Sequence, residues 1–323
     1  METKIDCSFF KQHLVSVIVP VYNAAHSLQA TIRSLTAQTY PNLEIILVDD
    51  ASTDSSRAIC TNEAKIDSRI RVIMNAVNAG VSASRNTGLE QSSGEYIFFC
   101  DADDVPEATI IQMLVEMISR DEQVDMSICS YYIDDAPAFP LDQKELRMDR
   151  CAMAKAVASM GKPKIKGYVW NKMFKRSIID LHGLKFDLQC SICEDSLFCH
   201  QYIQYCRSGI YKQIPLYHYR QNPESLVHRI IDERSMSVFA SYAKITGICQ
   251  QYEDQNLQKC IQANIQSYAI KYLYRIYREK EKSQYTNQLA TKLKGHFTDI
   301  LFSLYIPYKR KIMAVILFLH HWI

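Results

Sequence analysis

Two hydrophobic rhythms alternate along the first part of the chain. Short continuous apolar runs at Val15–Val21, Leu43–Val48, Tyr96–Cys100 and Val124–Tyr131, with a shorter one at Arg71–Met74, read as strands buried on both faces. Between them apolar residues recur at helical spacing. Leu28, Ile32 and Leu35 mark a first helix, which Asn23 is placed to cap. Further helices are predicted from about Ser55 to Ile66, Ser82 to Gln91 and Glu107 to Ser119, the last carrying Ile111, Leu114 and Ile118 inward. Pro41-Asn42, Ala51-Ser-Thr-Asp54, Asn78-Ala-Gly80 and Ser93-Gly94 punctuate the series. Regular alternation of strand and helix predicts an α/β fold, with a mostly parallel sheet joined by right-handed crossovers.

Beyond Asp134 the rhythm loosens. One helix is predicted around Cys151–Met160, then a compact aromatic segment, Tyr168-Val-Trp-Asn-Lys-Met-Phe174. Ser191-Ile-Cys-Glu-Asp-Ser-Leu-Phe198 opens a helix running to about Tyr205. Glu194 and Asp195 lie in its first turn, where the helix dipole favours acids. Ile214-Pro-Leu-Tyr-His-Tyr-Arg220 is strand-like, and Gln221 to Arg229 reads as a polar loop. From Asp232 to Phe302 the pattern is helical, with breaks near Asp254 and near Glu281–Tyr285. The organisation expected is an extension at 1–14, a first half-domain at 15–132, a second at 133–231 and a helical region at 232–323 with an apolar tail.

Composition narrows the classes. The chain has 323 residues and is 48% hydrophobic, which suits an ordered protein with an ample core. A net charge of +2 gives no strong bulk field toward nucleic acid. The 11 cysteines are odd in number and scattered, and only Cys190 and Cys193 have two-residue spacing, so buried cytosolic thiols are expected rather than a disulfide framework or a zinc site. Met1–Leu14 lacks the apolar core of a signal peptide, and no apolar run is long enough for a transmembrane helix. The tail is basic at Lys309-Arg-Lys311 and almost wholly apolar from Ile312 to Ile323. That composition fits shallow insertion beneath anionic headgroups, or docking on the core or on another subunit.

The chemistry concentrates after the fourth strand. Asp101, Asp103 and Asp104 put three carboxylates in four positions, at the strand end where open α/β sheets bind ligands. Their repulsion calls for an offset, and a divalent cation with oxygen ligands supplies one; an acidic turn with a helix cap at Asp104 is the plainer alternative. Val48-Asp-Asp50 ends the second strand in acids as well. The turn after the first strand, Pro20-Val-Tyr-Asn23, is not a glycine-rich dinucleotide fingerprint, and no Walker loop exists. A nucleotide would therefore be held by carboxylates and a metal.

Together, Pro20-Val-Tyr-Asn23, Val48-Asp-Asp-Ala-Ser-Thr-Asp54, Asn78-Ala-Gly-Val-Ser-Ala-Ser-Arg-Asn-Thr-Gly88, Asp101-Ala-Asp-Asp104 and Glu194-Asp195 resemble family 2 of the glycosyltransferases, of GT-A fold. The likeness is dense from Val15 to Tyr132, continues through Val169–Arg176 and Tyr217-His-Tyr-Arg220, and fades beyond Asp232. It implies a Rossmann-like sheet and an inverting, divalent-metal-dependent transfer from a UDP-sugar to a hydroxyl of a cell-surface glycan. It further implies Mn²⁺ or Mg²⁺ as cofactor and a cytoplasmic enzyme, which the basic and apolar tail at 307–323 would place peripherally on the inner face of the plasma membrane. A homo-oligomer is left open. By the same resemblance Tyr22 packs on the base with Pro20 and Asn23 beside it, and Asp50 accepts from the uracil N–H. Arg85 contacts the diphosphate or base, Asp101 and Ala102 the ribose side, and Asp103 the metal. Asp195 is similar to the general base, with Glu194 and Trp170 on the acceptor side. His218, His228 and Arg229 are candidates for a loop over the diphosphate, although a lone His after an apolar strand is more often structural. Trp170 has core packing as its alternative. Two other functions compete: a sugar nucleotidyltransferase, which would need a basic glycine-rich loop that Pro20–Ser27 lacks, and a non-catalytic scaffold, which the Asp101/Asp103 pair with Asp195 argues against.

Overall fold

A computed structural model describes residues 13–158, 165–220, 231–280 and 283–323. In chain order the elements are β1 (Val15–Val21), α1 (Leu28–Thr36), β2 (Leu43–Asp49), α2 (Ser56–Ile66), β3 (Ile70–Met74), α3 (Val81–Gln91), β4 (Tyr96–Phe99), β5 (Val105–Pro106), α4 (Ile110–Ser119) and β6 (Val124–Ile133). Then come β7 (Ala136–Pro137), β8 (Asp142–Met148), α5 (Arg150–Ala158), β9 (Lys172–Lys175), α6 (Arg176–Leu181), α7 (Glu194–Ile203) and β10 (Ser208–Tyr219). The C-terminal helices are α8 (Glu233–Gln250), α9 (Gln255–Glu279), α10 (Thr286–Thr291), α11 (Phe297–Phe302) and α12 (Tyr308–Leu319).

All the main strands join one sheet, in the order β3-β2-β1-β4-β9-β6-β10-β5. The pairs β1–β2, β1–β4, β2–β3 and β6–β10 are parallel. Strand β9 runs antiparallel between β4 and β6, so all the longer strands of the sheet's main path point the same way. The carboxyl ends of β1, β2 and β4 therefore open at one sheet edge. Residues of β1, β2 and β4 are buried almost without exception, as continuous apolar runs require when helices cover both faces.

Differences from the sequence pattern have physical causes. The aromatic segment at 168–174 yields β9, whose Lys172 is fully buried and donates to Tyr168 O at 2.5 Å and Asn171 Oδ1 at 2.8 Å. Helix α4 starts at Ile110 rather than Glu107, because Val105–Pro106 pairs with β10 instead. Strand β8 escapes hydrophobic patterning because six of its seven residues are exposed. The first helix begins at Leu28, with Ser27 at its cap position, so Asn23 does not cap it.

The chain divides into two compact units. The first comprises Met1–Met153, Tyr168–Leu188 and Tyr202–Pro223; the second comprises Ala154–Gly167, Gln189–Gln201 and Glu224–Ile323. In the second unit Asp232 and Asp254 cap α8 and α9 by accepting from Ser235 N and Leu257 N, each at 2.8 Å. Helix α12 lies on α9 with Ala314 and Leu317 buried, and Phe318 stacks on Phe297 at 4.2 Å. One face of the apolar tail is thus docked on protein. Ten cysteines fall among the described residues; all are free thiols, eight of them buried.

Candidate active site

The loops after β1 and β2 are knitted together. Asn23, at φ 48°, accepts from Thr53 N at 2.8 Å through its side-chain oxygen, and its own N–H donates to Ser52 Oγ at 3.1 Å. Ala25 N donates to Asp54 Oδ2 at 3.0 Å. Just before these bonds in the chain, Tyr22 stands with its side chain half in solvent, 51% exposed. Asp49 is fully buried and bound to Arg57 at 3.0 Å, the interior supporting role its position in the strand suggests. Asp50 is almost buried and lies at the strand end. Its Oδ1 accepts from Asn75 Nδ2 at 2.8 Å and Ala79 N at 3.1 Å, and its Oδ2 accepts from Gly80 N at 2.7 Å. Gly80 has φ +89°, the left-handed region, which turns its N–H onto that carboxylate. A carboxylate has about four lone-pair sites, so three donors still leave room for a ligand N–H.

The Asp101–Asp104 turn follows β4 at the same edge. It is pinned from α1: the Thr31 hydroxyl lies 3.0 Å from Ala102 O and 2.8 Å from Asp104 O, and Ser27 Oγ donates to Ala102 O at 3.1 Å. Asp101 takes Arg85 Nη2 at 2.9 Å on its Oδ1, and its N–H donates to Tyr217 Oη at 3.0 Å. The Arg85 guanidinium is 3% exposed and sits 5.2 Å from the Phe186 ring centre. In this arrangement Arg85 orients Asp101. Burial, then the charge of Asp101, pushes the Asp103 carboxyl above the ordinary carboxylate range. Burial, then Asp101 and Asp103, pushes Asp104 up to about 9. Asp104 does not cap α4, whose cap position is Thr109; its Oδ1 accepts from Arg220 N at 2.9 Å.

Two more expectations change. Trp170 is 1% exposed, stacked on Tyr217 at 4.4 Å and on Tyr168 at 4.7 Å, with Tyr131 edge-on at 5.1 Å. It is core, with no face open to an acceptor. It braces Tyr217, whose hydroxyl meets the Asp101 backbone, so Tyr217 is a positioning residue that side-chain chemistry alone did not single out. His218 spends both ring nitrogens on carboxylates, Glu107 at 2.8 Å and Asp135 at 3.0 Å, and stacks on Tyr132 at 4.3 Å. It latches β10 to its neighbours, which accounts for it without a diphosphate. His228 and Arg229 lie outside the described residues.

Glu194 and Asp195 form the first turn of α7, both partly buried. The approach to that turn is held within the second unit. Ser191 N and Ile192 N both donate to Ser237 Oγ, at 3.1 Å and 3.2 Å, and Ser241 Oγ donates to Ile192 O at 2.7 Å. Cys193 adopts φ 62°, with its Sγ 3.3 Å from Tyr268 Oη. Gly167 comes so close to Ser196 that an added Cβ would stand 2.5 Å from the Ser196 Cβ. Ser237, Ser241 and Tyr268 lie in the helical region where the family motifs fade, and no spacing rule pointed to them.

Among the described residues no three His, Cys, Asp or Glu side chains gather to hold a metal by themselves. An ion of the Mg²⁺ type needs only one or two carboxylates from a protein, with substrate phosphates and water completing its shell. The carboxyls of Asp101 and Asp103, with the Asp104 Oδ2 buried and without a hydrogen-bond partner among the described residues, are a donor set of that kind.

The model for glycosyl transferase family 2 matches residues 16–183, over half of the chain. EpsH of Bacillus subtilis (strain 168), a protein named as a glycosyltransferase, is 33% identical over 242 residues, covering 73% of this chain and 69% of its own. WfgD of Escherichia coli, named as a UDP-Glc:alpha-D-GlcNAc-diphosphoundecaprenol beta-1,3-glucosyltransferase, is 39% identical over 108 residues, 33% of this chain and 42% of its own. Among solved structures, S. aureus TarS with UDP-GlcNAc superposes at a TM-score of 0.63 and 16% identity, over 93% of this chain and 83% of its own. The mannosyltransferase PcManGT of Pyrobaculum calidifontis, with GDP-Man and Mn²⁺, superposes at 0.57 and 19%, over 95% and 87%. Those two superpositions agree with the GT-A fold that the resemblance implies. On the family match and the identity to EpsH, this chain belongs to glycosyl transferase family 2.

Proposed function

We propose that this glycosyltransferase moves a sugar from a UDP-sugar to a hydroxyl of a lipid-linked or cell-surface glycan, with inversion and with a divalent cation. The observation that carries the reading is the convergence of Tyr22, Asp50 and the Asp101–Asp103 turn at the carboxyl ends of three adjacent parallel strands. Asp50, held by three N–H donors, keeps an acceptor site for the uracil N–H, and the half-exposed Tyr22 ring offers an apolar face for the base. Asp101, oriented by Arg85 and Tyr217, accepts from ribose hydroxyls. Asp103 would hold Mn²⁺ or Mg²⁺, which when bound neutralises charge building on the leaving diphosphate.

Asp195 serves as general base. It takes the proton from the acceptor hydroxyl while that oxygen attacks the anomeric carbon. The bond to the diphosphate oxygen breaks on the opposite face, its electron pair leaving with the diphosphate. Glu194 orients the acceptor. The lipid-linked acceptor is supported by the likeness to WfgD, whose name specifies a diphosphoundecaprenol substrate.

The test is a hydrolysis and transfer screen of UDP-, GDP- and dTDP-sugars with Mn²⁺ and with EDTA. UDP-sugars are expected to turn over with Mn²⁺ alone; full activity in EDTA would remove the role of Asp103. Asp195→Asn should lower turnover by about 10²–10⁴-fold and leave UDP binding intact. Retained turnover would end its assignment as base.

A further inference from the structure

Beyond its basic first turn helix α12 is apolar all round from Ile312 to Leu319, yet only one side of it is covered. Ala314 and Leu317 are buried toward α9, with Arg310 and Met313 partly covered alongside and Arg310 Nη1 3.1 Å from Met313 Sδ. On the opposite side Tyr308, Ile312, Val315 and Leu319 succeed one another at intervals of 4, 3 and 4 residues, the spacing of a single helical stripe. Tyr308 is 78%, Ile312 45% and Leu319 67% exposed. Just upstream, Phe302 and Leu304 are exposed at 82% and 95%. A helix of this composition is normally buried on every side.

The flanking charges identify the cover. Residues 300–323 contain Lys309, Arg310 and Lys311 and no Asp or Glu. At 100° per residue Lys309 and Lys311 fall on either side of the stripe, and neither enters an ion pair among the described residues. Pairing this face with a second copy would bring four lysines together with no acid to offset them. An anionic lipid surface supplies the missing sign and an apolar interior at once. No helix among the described residues is long and apolar enough to cross a membrane, so the contact would lie in the interface plane. We propose that this face of α12, with Phe302 and Leu304, docks on an anionic bilayer. Tyr308, Ile312, Val315 and Leu319 enter the headgroup–acyl boundary, and Lys309 and Lys311 sit among the phosphates.

The experiment is cosedimentation of the full chain with phosphatidylcholine vesicles, with and without phosphatidylglycerol. The expected result is binding to the phosphatidylglycerol vesicles, weakened by salt. Lys309→Gln/Lys311→Gln should weaken partitioning by about fivefold per charge. Ile312→Glu/Leu319→Glu should abolish it, with the thermal midpoint and circular dichroism unchanged because both side chains point outward. The lysine variant changes side chains that make no hydrogen bond or ion pair among the described residues, so it decides the question even where the glutamate variant loses its fold. Absence of binding by the parent chain, or unchanged binding by both variants, overturns the proposal. So does a dimer seen by analytical ultracentrifugation that Ile312→Glu/Leu319→Glu dissolves while vesicle binding is nil.

Discussion

Single residues in this protein are held by more bonds than a motif reveals. Asp50 carries three N–H donors from the 75–80 segment before any donor substrate arrives. Asp50→Asn turns one acceptor oxygen into a donor facing another donor. The expected cost is about 1–3 kcal/mol in thermal unfolding, together with a loss of UDP affinity of about tenfold or more by calorimetry. Lost stability with unchanged UDP affinity would reduce Asp50 to a turn-holding residue. Asp125 is a second case, far less visible in the sequence. Its side chain is 2% exposed and takes Arg207 N at 2.7 Å, Arg207 Nη2 at 2.8 Å and Lys175 Nζ at 3.1 Å. Burial raises its pKa, but the bonds from Arg207 and Lys175 together outweigh burial and hold the carboxyl below the usual range. The folded state then binds fewer protons than the unfolded chain near the ordinary carboxyl pKa of about 4. Its contribution to stability is full above that pH and drains away as the pH falls through the lowered value. Asp125→Asn should therefore cost about 2 kcal/mol at neutral pH and flatten the acid limb of a stability–pH curve. A mutant limb parallel to the parent's would show that other carboxylates govern it.

At the scale of elements, β1, β2, β4, β6, α1 and α4 follow their hydrophobic period closely, because each buries an apolar face that nothing else can cover, whereas α3 buries Ser82, Ser84, Arg85 and Gly88 and has no such period. Elements whose side chains stay in water, such as β8, or whose partners come from far along the chain, such as β9, leave no such trace. The same distinction governs the site. The ends of β2 and β4 announce their acids, but the supports do not: Tyr217 reaches Asp101 across 116 residues, and Ser241 reaches Ile192 across 49. Helices α8 and α9, the part least like the family motifs, thus hold the turn that carries Glu194 and Asp195. Ser241→Ala should lower kcat by about tenfold with donor KM unchanged, since it loosens the approach to the proposed base and touches no donor residue. A rise in donor KM at constant kcat would contradict that division of labour.

For the whole molecule the two units separate the proposed tasks: Tyr22, Asp50, Asp101 and Asp103 belong to the first, Glu194 and Asp195 to the second. UDP with Mn²⁺ at about 100 times its Kd should stabilise the protein by about 2.7 kcal/mol, and Asp195→Asn should show the same gain. A variant that lost the UDP shift would place Asp195 in donor binding rather than in proton transfer. The α/β class, the mostly parallel sheet, the acids at the strand ends and the helical C-terminal region were all determined by sequence, because period and turn chemistry act locally. Only the tertiary structure decided that Trp170 is an internal brace, that His218 is a partly exposed latch between Glu107 and Asp135, that Arg85 binds Asp101, and which face of the apolar tail is covered. Those outcomes depend on which neighbour reaches a side chain first, and hydrogen bonds and ring stacking between residues distant along the chain have no signature in local spacing.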